Sequence, residues 1–401
     1  MLPKQTDFLI VGGGIIGITV ALELQSRFPD SSIVLIEKEN LPGQHASGRN
    51  SGVLHAGFYY SADSYKAKLT SEGNRALTEY CIDRKLVINR CGKLVVASSE
   101  DELAGLYELA QRGKVNGVNT SLISEKEARE IEPKVRTFKQ ALYSPTTSTV
   151  DPAQVNESLF GDAKSAGIRI LTSTAFVSNQ ANKIKTNQGS IDVGYVINAA
   201  GLYADHIARL FGFSKEHTIL PFKGLYLYSE NSSIDYRCNI YPVPNIKNPF
   251  LGVHITVDAR GKVKIGPTAM PAFWRENYNK LDNFRLMELI KILGIETKLL
   301  ITNHFGFRKL AIEELSKISR RKLVSLASRL AEGINHNDFT KWGRPGIRAQ
   351  LLNTKTMTLE MDFRFEGDDK SFHILNAVSP AFTCAFPFSK LMVNEIEKNI
   401  N

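Results

Sequence analysis

Apolar and polar positions along this chain follow two rhythms. Unbroken apolar runs at Phe8-Leu9-Ile10-Val11 and Ile33-Val34-Leu35-Ile36 predict strands buried on both faces, as in a parallel sheet. Apolar residues at helical spacing predict helices over 18–27, 64–84, 101–112, 125–131 and 204–210. A further helix opens at Asp151-Pro152 and runs to 166. Strands are predicted over 86–99, 137–150, 169–171, 183–186, 190–193 and 195–197. Alternation with frequent turn signals predicts a β-meander over 221–270, helices over 281–333, a strand at 373–376 and a final helix over 382–398. No internal repeat or low-complexity tract interrupts the chain. The sheet begun at residue 8 is completed by segments near 170–200 and 373–376, so a second domain is expected as an insertion in two pieces. The predicted fold is α/β (α+β overall): a Rossmann-like domain at 1–85, 146–220 and 340–401, interleaved with an antiparallel-sheet substrate domain carrying helices at 86–145 and 221–339.

The loop between the first strand and helix reads Gly12-Gly13-Gly14-Ile15-Ile16-Gly17, and Glu37 follows 20 residues after its last glycine. This is G-x-G-x-x-G in its required strand–loop–helix–strand context. Gly12 permits the tight turn, Gly14 lets the backbone approach a pyrophosphate, and Gly17 lets the helix pack closely. The helix N-terminus favours phosphate, and Glu37 can accept both ribose hydroxyls of an adenosine. Ile16 and Lys38, within and just after this fingerprint, complete the expected contacts. The pattern predicts an adenine dinucleotide without deciding between FAD and NAD. An interleaved architecture favours FAD, a long molecule gripped from distant segments.

At 401 residues the chain exceeds one compact core. The apolar stretch 8–22 is only 15 residues and contains four glycines, too short to span a bilayer. The strand near residue 8 leaves no room for a secretory signal. Four scattered cysteines without a C-x-x-C pair argue against zinc and a disulfide framework, so no metal and a reducing, cytoplasmic location are expected. The net charge is +9, and residues 302–348 hold ten Lys/Arg against four Asp/Glu. Much of this lies beside the apolar spacing of residues 312–330. Without a nucleic-acid module or interleaved aromatics, nucleic-acid binding is not expected. Two readings of 312–330 remain: a solvated helix face, or a basic amphipathic helix resting on the inner face of an anionic membrane.

A second block, ASGRNSGVLHAGFYY at 46–60, offers small residues, backbone N–H groups and an arginine near the phosphates, then His55 in a setting where a flat ring can approach. With GGGIIG (12–17), RNSGVLHAGFYY (49–60), NAAGLYAD (198–205), PFKG (221–224), YPVPNIKNPFLGVHIT (241–256), IGPTAM (265–270), RPGIRAQ (344–350) and NAVSPAFTCA (376–385), the chain resembles the D-amino-acid-oxidase-like FAD-dependent oxidoreductases, and within them the L-2-hydroxyglutarate dehydrogenase/oxidase group. The resemblance is collinear over nearly the whole chain. It implies that Ser47, Asn50, Ser51 and Gly52 continue from the ADP half toward the flavin. Ala200 and Gly201 would line the nucleotide side, with Val177 at the adenine. Gly346, Ile347 and Arg348 would lie beside the isoalloxazine. Residues 380–383, with Pro380 and Thr383, would set the last helix's N-terminus at the flavin N1–C2=O edge, where a helix dipole stabilises the anionic reduced ring. Two departures stand out. Lys223 and Leu225 occur where relatives read P-F-R-G-E-Y, and lysine lacks the bidentate geometry of arginine. Ala381-Phe382 stands where a glycine is common.

Oxidising a 2-hydroxy acid removes a hydride from C2 and a proton from the hydroxyl, a task suited to histidine. His55 and His254 are the candidates. Lys223, Arg344 and Arg348 are the expected carboxylate partners, with Tyr60, Tyr226 and Tyr241 as hydroxyl donors. The expected reaction takes L-2-hydroxyglutarate, or a similar 2-hydroxy dicarboxylate, to the 2-oxo acid, with electrons passing to a quinone, another acceptor or oxygen. Non-covalent FAD is expected, with an 8α-histidyl link through His55 as the alternative. The competing functions are an amine or amino-acid oxidase of the same fold, a flavin-fold protein without catalysis, and an NAD-dependent dehydrogenase.

Overall fold

The computed structural model describes residues 2–180, 182–231, 234–244 and 251–400. Residues 245–250, inside the motif at 241–256 and the expected meander, lie outside them. The chain forms two compact units. Met1–Asn50, Pro152–Pro221 and Arg348–Asn401 make the first; Ser51–Asp151 and Phe222–Ile347 make the second.

In the first unit the strands run in the order Phe176–Gln180, Lys183–Thr186, Gly189–Asn198, Gln5–Val11, Ile33–Ile36, Arg169–Leu171. Gln5–Val11 pairs in parallel with both Gly189–Asn198 and Ile33–Ile36, and Ser371–Asn376 adds to Gly189–Asn198 in parallel. The two apolar runs are thus central strands, with Leu9, Ile10, Leu35 and Ile36 essentially unexposed. The helix Ile15–Arg27 is apolar nearly all round because it is covered nearly all round: Ile15 through Ala21 are buried, as is Leu24. Its Arg27 pairs with Glu397 of the last helix, Ala385–Ile400, at 2.9 Å. That helix starts three residues later than its apolar spacing suggested, because residues 380–384 form a turn closed by the Cys384 N–H on the Pro380 carbonyl.

The second unit is built on an eight-stranded sheet in the order Phe339–Trp342, Leu227–Ser229, Val263–Gly266, His254–Val257, Asn239–Pro242, Lys93–Val96, Gln140–Ser144, Ser121–Ser124. Its neighbours are antiparallel except Asn239–Pro242 against Lys93–Val96. The expected meander is therefore only partly sequential. Strands 239, 254 and 263 follow one another, but Leu227–Ser229 lies beyond the last of them. Alternation places Leu94 and Val96 in one core cluster and Val95 and Ala97 in another.

Residues 51–85, expected with the nucleotide domain, fall in the second unit. The reason is local pairing. Val53–Leu54 bonds to Ser148–Val150, which also takes Ile88–Asn89, and Asn74 of the helix Tyr65–Asp83 donates to the Leu54 carbonyl. Residues 340–347 follow for a similar reason, since Phe339–Trp342 pairs with Leu227–Ser229.

The helical region 281–333 is three helices, Leu286–Thr302, Phe307–Ser316 and Arg320–Ala327. Asn303, Phe305 and Gly306, all at positive φ, break the first from the second. This corrects the single amphipathic helix expected over 312–330. Leu323, Val324, Ala327 and Leu330 are buried in the core of the large sheet, whereas Ile312, Leu315 and Ile318 are exposed.

Candidate active site

At the nucleotide end, the glycine loop is a backbone cradle. Gly12 has φ +116°, and a Cβ there would lie 2.5 Å from the Ala199 carbonyl oxygen. A Cβ on Gly17 would lie 2.0 Å from the Gly12 oxygen. Glu37 is buried at the end of its strand; one carboxylate oxygen accepts the Gly13 N–H at 2.7 Å and the other the Glu39 N–H at 2.9 Å. Ser47 Oγ accepts the Ile15 N–H at 2.9 Å, and Asn50 Nδ2 donates to the Ser47 carbonyl at 2.8 Å. In the NAAG turn, Asn198 donates to the Ala204 carbonyl and accepts the Ala200 N–H, and Gly201 has φ +53°. Gly14 caps the first helix with no side-chain bond of its own. Lys38 pairs with Glu39 and lies over the Tyr203 ring. Val177 is about half exposed, and Thr383 is buried. Gly346–Asn353 is one strand, in which Ile347 is buried and Arg348 Nε donates to Gln350 Oε1 at 2.9 Å.

The second unit gathers the histidines. His254, at the start of its strand, is 4% exposed. Its Nδ1 lies 3.1 Å from the Gly252 carbonyl oxygen, so Nδ1 carries the hydrogen and donates. Nε2 is then the lone-pair nitrogen, buried and without a hydrogen-bond partner among the described residues. Tyr241 stacks on the imidazole at 3.7 Å and 13°, and Tyr226 meets it edge-on at 6.3 Å. Burial pushes His254 well below the ordinary imidazole range; Lys93, His55 and Lys264 push the same way, and the Gly252 bond opposes them. His55, also buried, is pushed down to about 3 by burial and then by Lys93. Both imidazoles are neutral near pH 7.

Among the expected substrate residues, Lys223 is half-buried, donates to Asn277 Oδ1 at 3.3 Å, and is held below the usual lysine range by burial, with Asp282 opposing. Arg344 is exposed. The Tyr60 carbonyl accepts from Asn116 at 3.0 Å, and Lys66 lies over its ring. His55, His254, Tyr226 and Tyr241 share the second unit, whereas Arg348 lies in the first. Ser51 and Gly52 open the second unit, and the Ser51 carbonyl accepts Lys264 Nζ at 2.9 Å.

The sequence profile of the FAD dependent oxidoreductase family matches residues 7–392. The chain belongs to this family. It is similar to L-2-hydroxyglutarate dehydrogenase of Escherichia coli K12, at 33% identity over 399 residues covering 98% of this chain and 93% of that protein. It is 34% identical over 415 residues to the mitochondrial L-2-hydroxyglutarate dehydrogenase of Homo sapiens, covering 98% and 89%. Among solved structures, L-alpha-glycerophosphate oxidase from Mycoplasma pneumoniae with FAD bound shares the fold at TM-score 0.77 and 24% identity, covering 98% of this chain and 95% of that one. Glycine oxidase from Geobacillus kaustophilus does so at 0.71 and 18%, covering 99% and 96%.

The residues of this FAD-dependent oxidoreductase fit the ADP half of the cofactor. The cradle leaves no room for a Cβ at Gly12 or Gly17, and each Glu37 oxygen keeps a second lone pair for a ribose hydroxyl after accepting its backbone N–H. Two buried lysines of the flavoenzyme's second unit had escaped notice in the sequence. Lys93 opens an otherwise apolar strand and is fully buried. Lys264 is 4% exposed, lies 4.8 Å from the Tyr226 ring centroid, and is pushed down to about 8 by burial, against Asp258 and Asp151. A lysine inside each short strand, KLVV and VKIG, was the available signal.

Proposed function

We propose that this flavoenzyme oxidises a 2-hydroxy dicarboxylic acid, L-2-hydroxyglutarate to 2-oxoglutarate, with His254 as the base. The observation that carries this reading is the orientation of His254: Nδ1–H is committed to the Gly252 carbonyl, and the lone pair at Nε2 is buried and uncommitted among the described residues. The bound flavin supplies the acceptor, at N5, for the hydride lost from C2. His254 Nε2 takes the hydroxyl proton, while Tyr241 holds the ring plane by stacking. His55 is the second candidate for this role. Lys223, Arg344 and Arg348 neutralise the carboxylates, and Tyr60, Tyr226 and Tyr241 donate hydrogen bonds. The surplus of cations also times the proton transfer. Without substrate, burial and neighbouring positive charge keep His254 unprotonated. A dianion entering that field raises its basicity when the proton must be taken. The names of the full-length relatives support the same substrate.

The test is anaerobic mixing of the oxidised enzyme with single substrates while following flavin absorbance. L-2-hydroxyglutarate should bleach the flavin, while sarcosine, proline and glycine should not. Bleaching by an amine alone would replace this reading with that of an amine oxidase.

The electrons pass to a quinone, another acceptor or oxygen, and we infer a peripheral position on an anionic membrane face. A specific surface supports this. Between residues 281 and 318, Leu281, Phe284, Leu286, Met287, Ile290, Leu293, Leu300, Ile301, Phe305, Ile312, Leu315 and Ile318 are all exposed. Exposed apolar side chains this numerous in one segment favour an interaction site. Exposed Lys280, Arg285, Lys298, Lys309, Arg321 and Lys322 accompany it. Among the described residues no helix is long and apolar enough to cross a membrane.

A further inference from the structure

The proposed reaction leaves Lys93 without a task. It opens the strand Lys93–Val96, deep within the large sheet, and is 0% exposed. Its ammonium has no hydrogen bond among the described residues, and no carboxylate is among the groups that shift its titration. Aromatic faces surround it instead: Nζ lies 4.1 Å from the centroid of Tyr241, 5.2 Å from Tyr59 and 5.7 Å from Phe58. A cation so placed is held by ring quadrupoles alone. A structural lysine would ordinarily be paired or would reach for water. Tyr241 is the ring stacked on His254. One tyrosine therefore touches both the unpaired cation and the proposed base.

We propose that Lys93 is a positioning residue: held on Tyr241, its ammonium keeps the His254 and His55 imidazoles unprotonated until an anionic substrate enters. This rests on the assignment of His254 as base. The groups facing the cluster are His55 and Tyr59 from the segment after Ser51, Cys91 beside Lys93, Tyr226, Tyr241, His254, and Lys264 from the next strand. None is a carboxylate. The cations and imidazoles compete for few protons, and burial brings Lys93 itself down to about 7. Above that pH it progressively loses its hold on the histidines, as their need for it vanishes. Below it, Lys93 is charged and opposes their protonation.

The experiment titrates the imidazoles by NMR in histidine-labelled holoenzyme and follows kcat/KM against pH in parallel. In the wild type, His254 should titrate well below an ordinary imidazole, which does so near ~6.5. In Lys93→Met its midpoint should rise by about one unit or more, and the acid limb of kcat/KM should move up with it. Lys93→Arg, which keeps the charge, should restore the wild-type profile. A wild-type His254 titrating at the ordinary value would overturn the proposal without any variant, as would a Lys93→Met enzyme whose imidazole midpoints are unmoved. If the midpoints move but kcat/KM does not follow, Lys93 holds the histidines as stated and the base assignment is what fails.

Discussion

At His254, the bond from Nδ1 to the Gly252 carbonyl decides which nitrogen can accept a proton, and burial decides that it is free to do so at neutral pH. His55 is likewise buried and neutral at that pH. Replacing either with alanine leaves the glycine cradle and Glu37 untouched, since these belong to the first unit. His254→Ala and His55→Ala should therefore purify with FAD. At least one should lose more than ~100-fold in turnover, the lower end of general-base contributions. Steady-state rates with L-2-hydroxyglutarate decide it, and full activity in both variants would remove histidine from the proton transfer. At this scale the sequence was legible wherever a residue acts through its own neighbours. Gly12, Gly17 and Glu37 do their work within one strand–loop–helix–strand unit. Lys93 was not legible, because a lysine opening KLVV looks like a strand end in solvent. It is enclosed by the rings of Phe58, of Tyr59 from 34 residues before and of Tyr241 from 148 after.

The helix Leu286–Thr302 is inverted relative to a normal surface helix. Its inward side holds Ile292, Glu296 and Leu299, while Leu286, Met287, Ile290, Leu293, Leu300 and Ile301 face outward. Burial pushes the Glu296 carboxyl up from 4.5 to about 7. The folded protein thus retains a proton that the unfolded chain releases near 4.5. The associated stability is fully present below that value and is lost as pH rises through 7. The whole window corresponds to ~3 kcal/mol at most. Thermal unfolding of the enzyme should show a Tm falling between pH 5 and 7.5, and Glu296→Gln should flatten that slope. A slope unchanged in the variant would place the proton elsewhere. The helix itself was legible from its spacing, but its end was not. Asn303 and Gly306 are types that favour left-handed backbone, but the aromatic residues Phe305 and Phe307 resume the apolar spacing at once and mask the break.

For the molecule as a whole, chain order alone indicated that one sheet is assembled from the first, middle and last segments, because its apolar runs are recognisable wherever they occur. The boundary at residue 51 was harder, since the two-residue strand Val53–Leu54 has no periodicity to detect and finds its partner almost a hundred residues later at Ser148–Val150. The exposed apolar surface of residues 281–318 was less legible than the basic residues of 312–330, where Leu323 and Leu330 are in the core while Leu315 is exposed. The membrane contact proposed for this surface can be tested without reference to catalysis. Apolar contact with lipid should work together with attraction between basic side chains and anionic headgroups, each such charge contributing about 1 kcal/mol near the surface and screened by salt. The enzyme should therefore sediment with phosphatidylglycerol vesicles at low ionic strength, less with phosphatidylcholine, and be partly released by added salt. Met287, Ile290 and Ile301 share the outward face of one helix, so the triple change Met287→Asp, Ile290→Asp, Ile301→Asp should abolish sedimentation while leaving anaerobic flavin reduction by substrate intact. Retention of the wild-type enzyme in the supernatant with anionic vesicles would exclude the membrane as occupant of this face, and equal binding by the triple variant would assign the contact to charge alone.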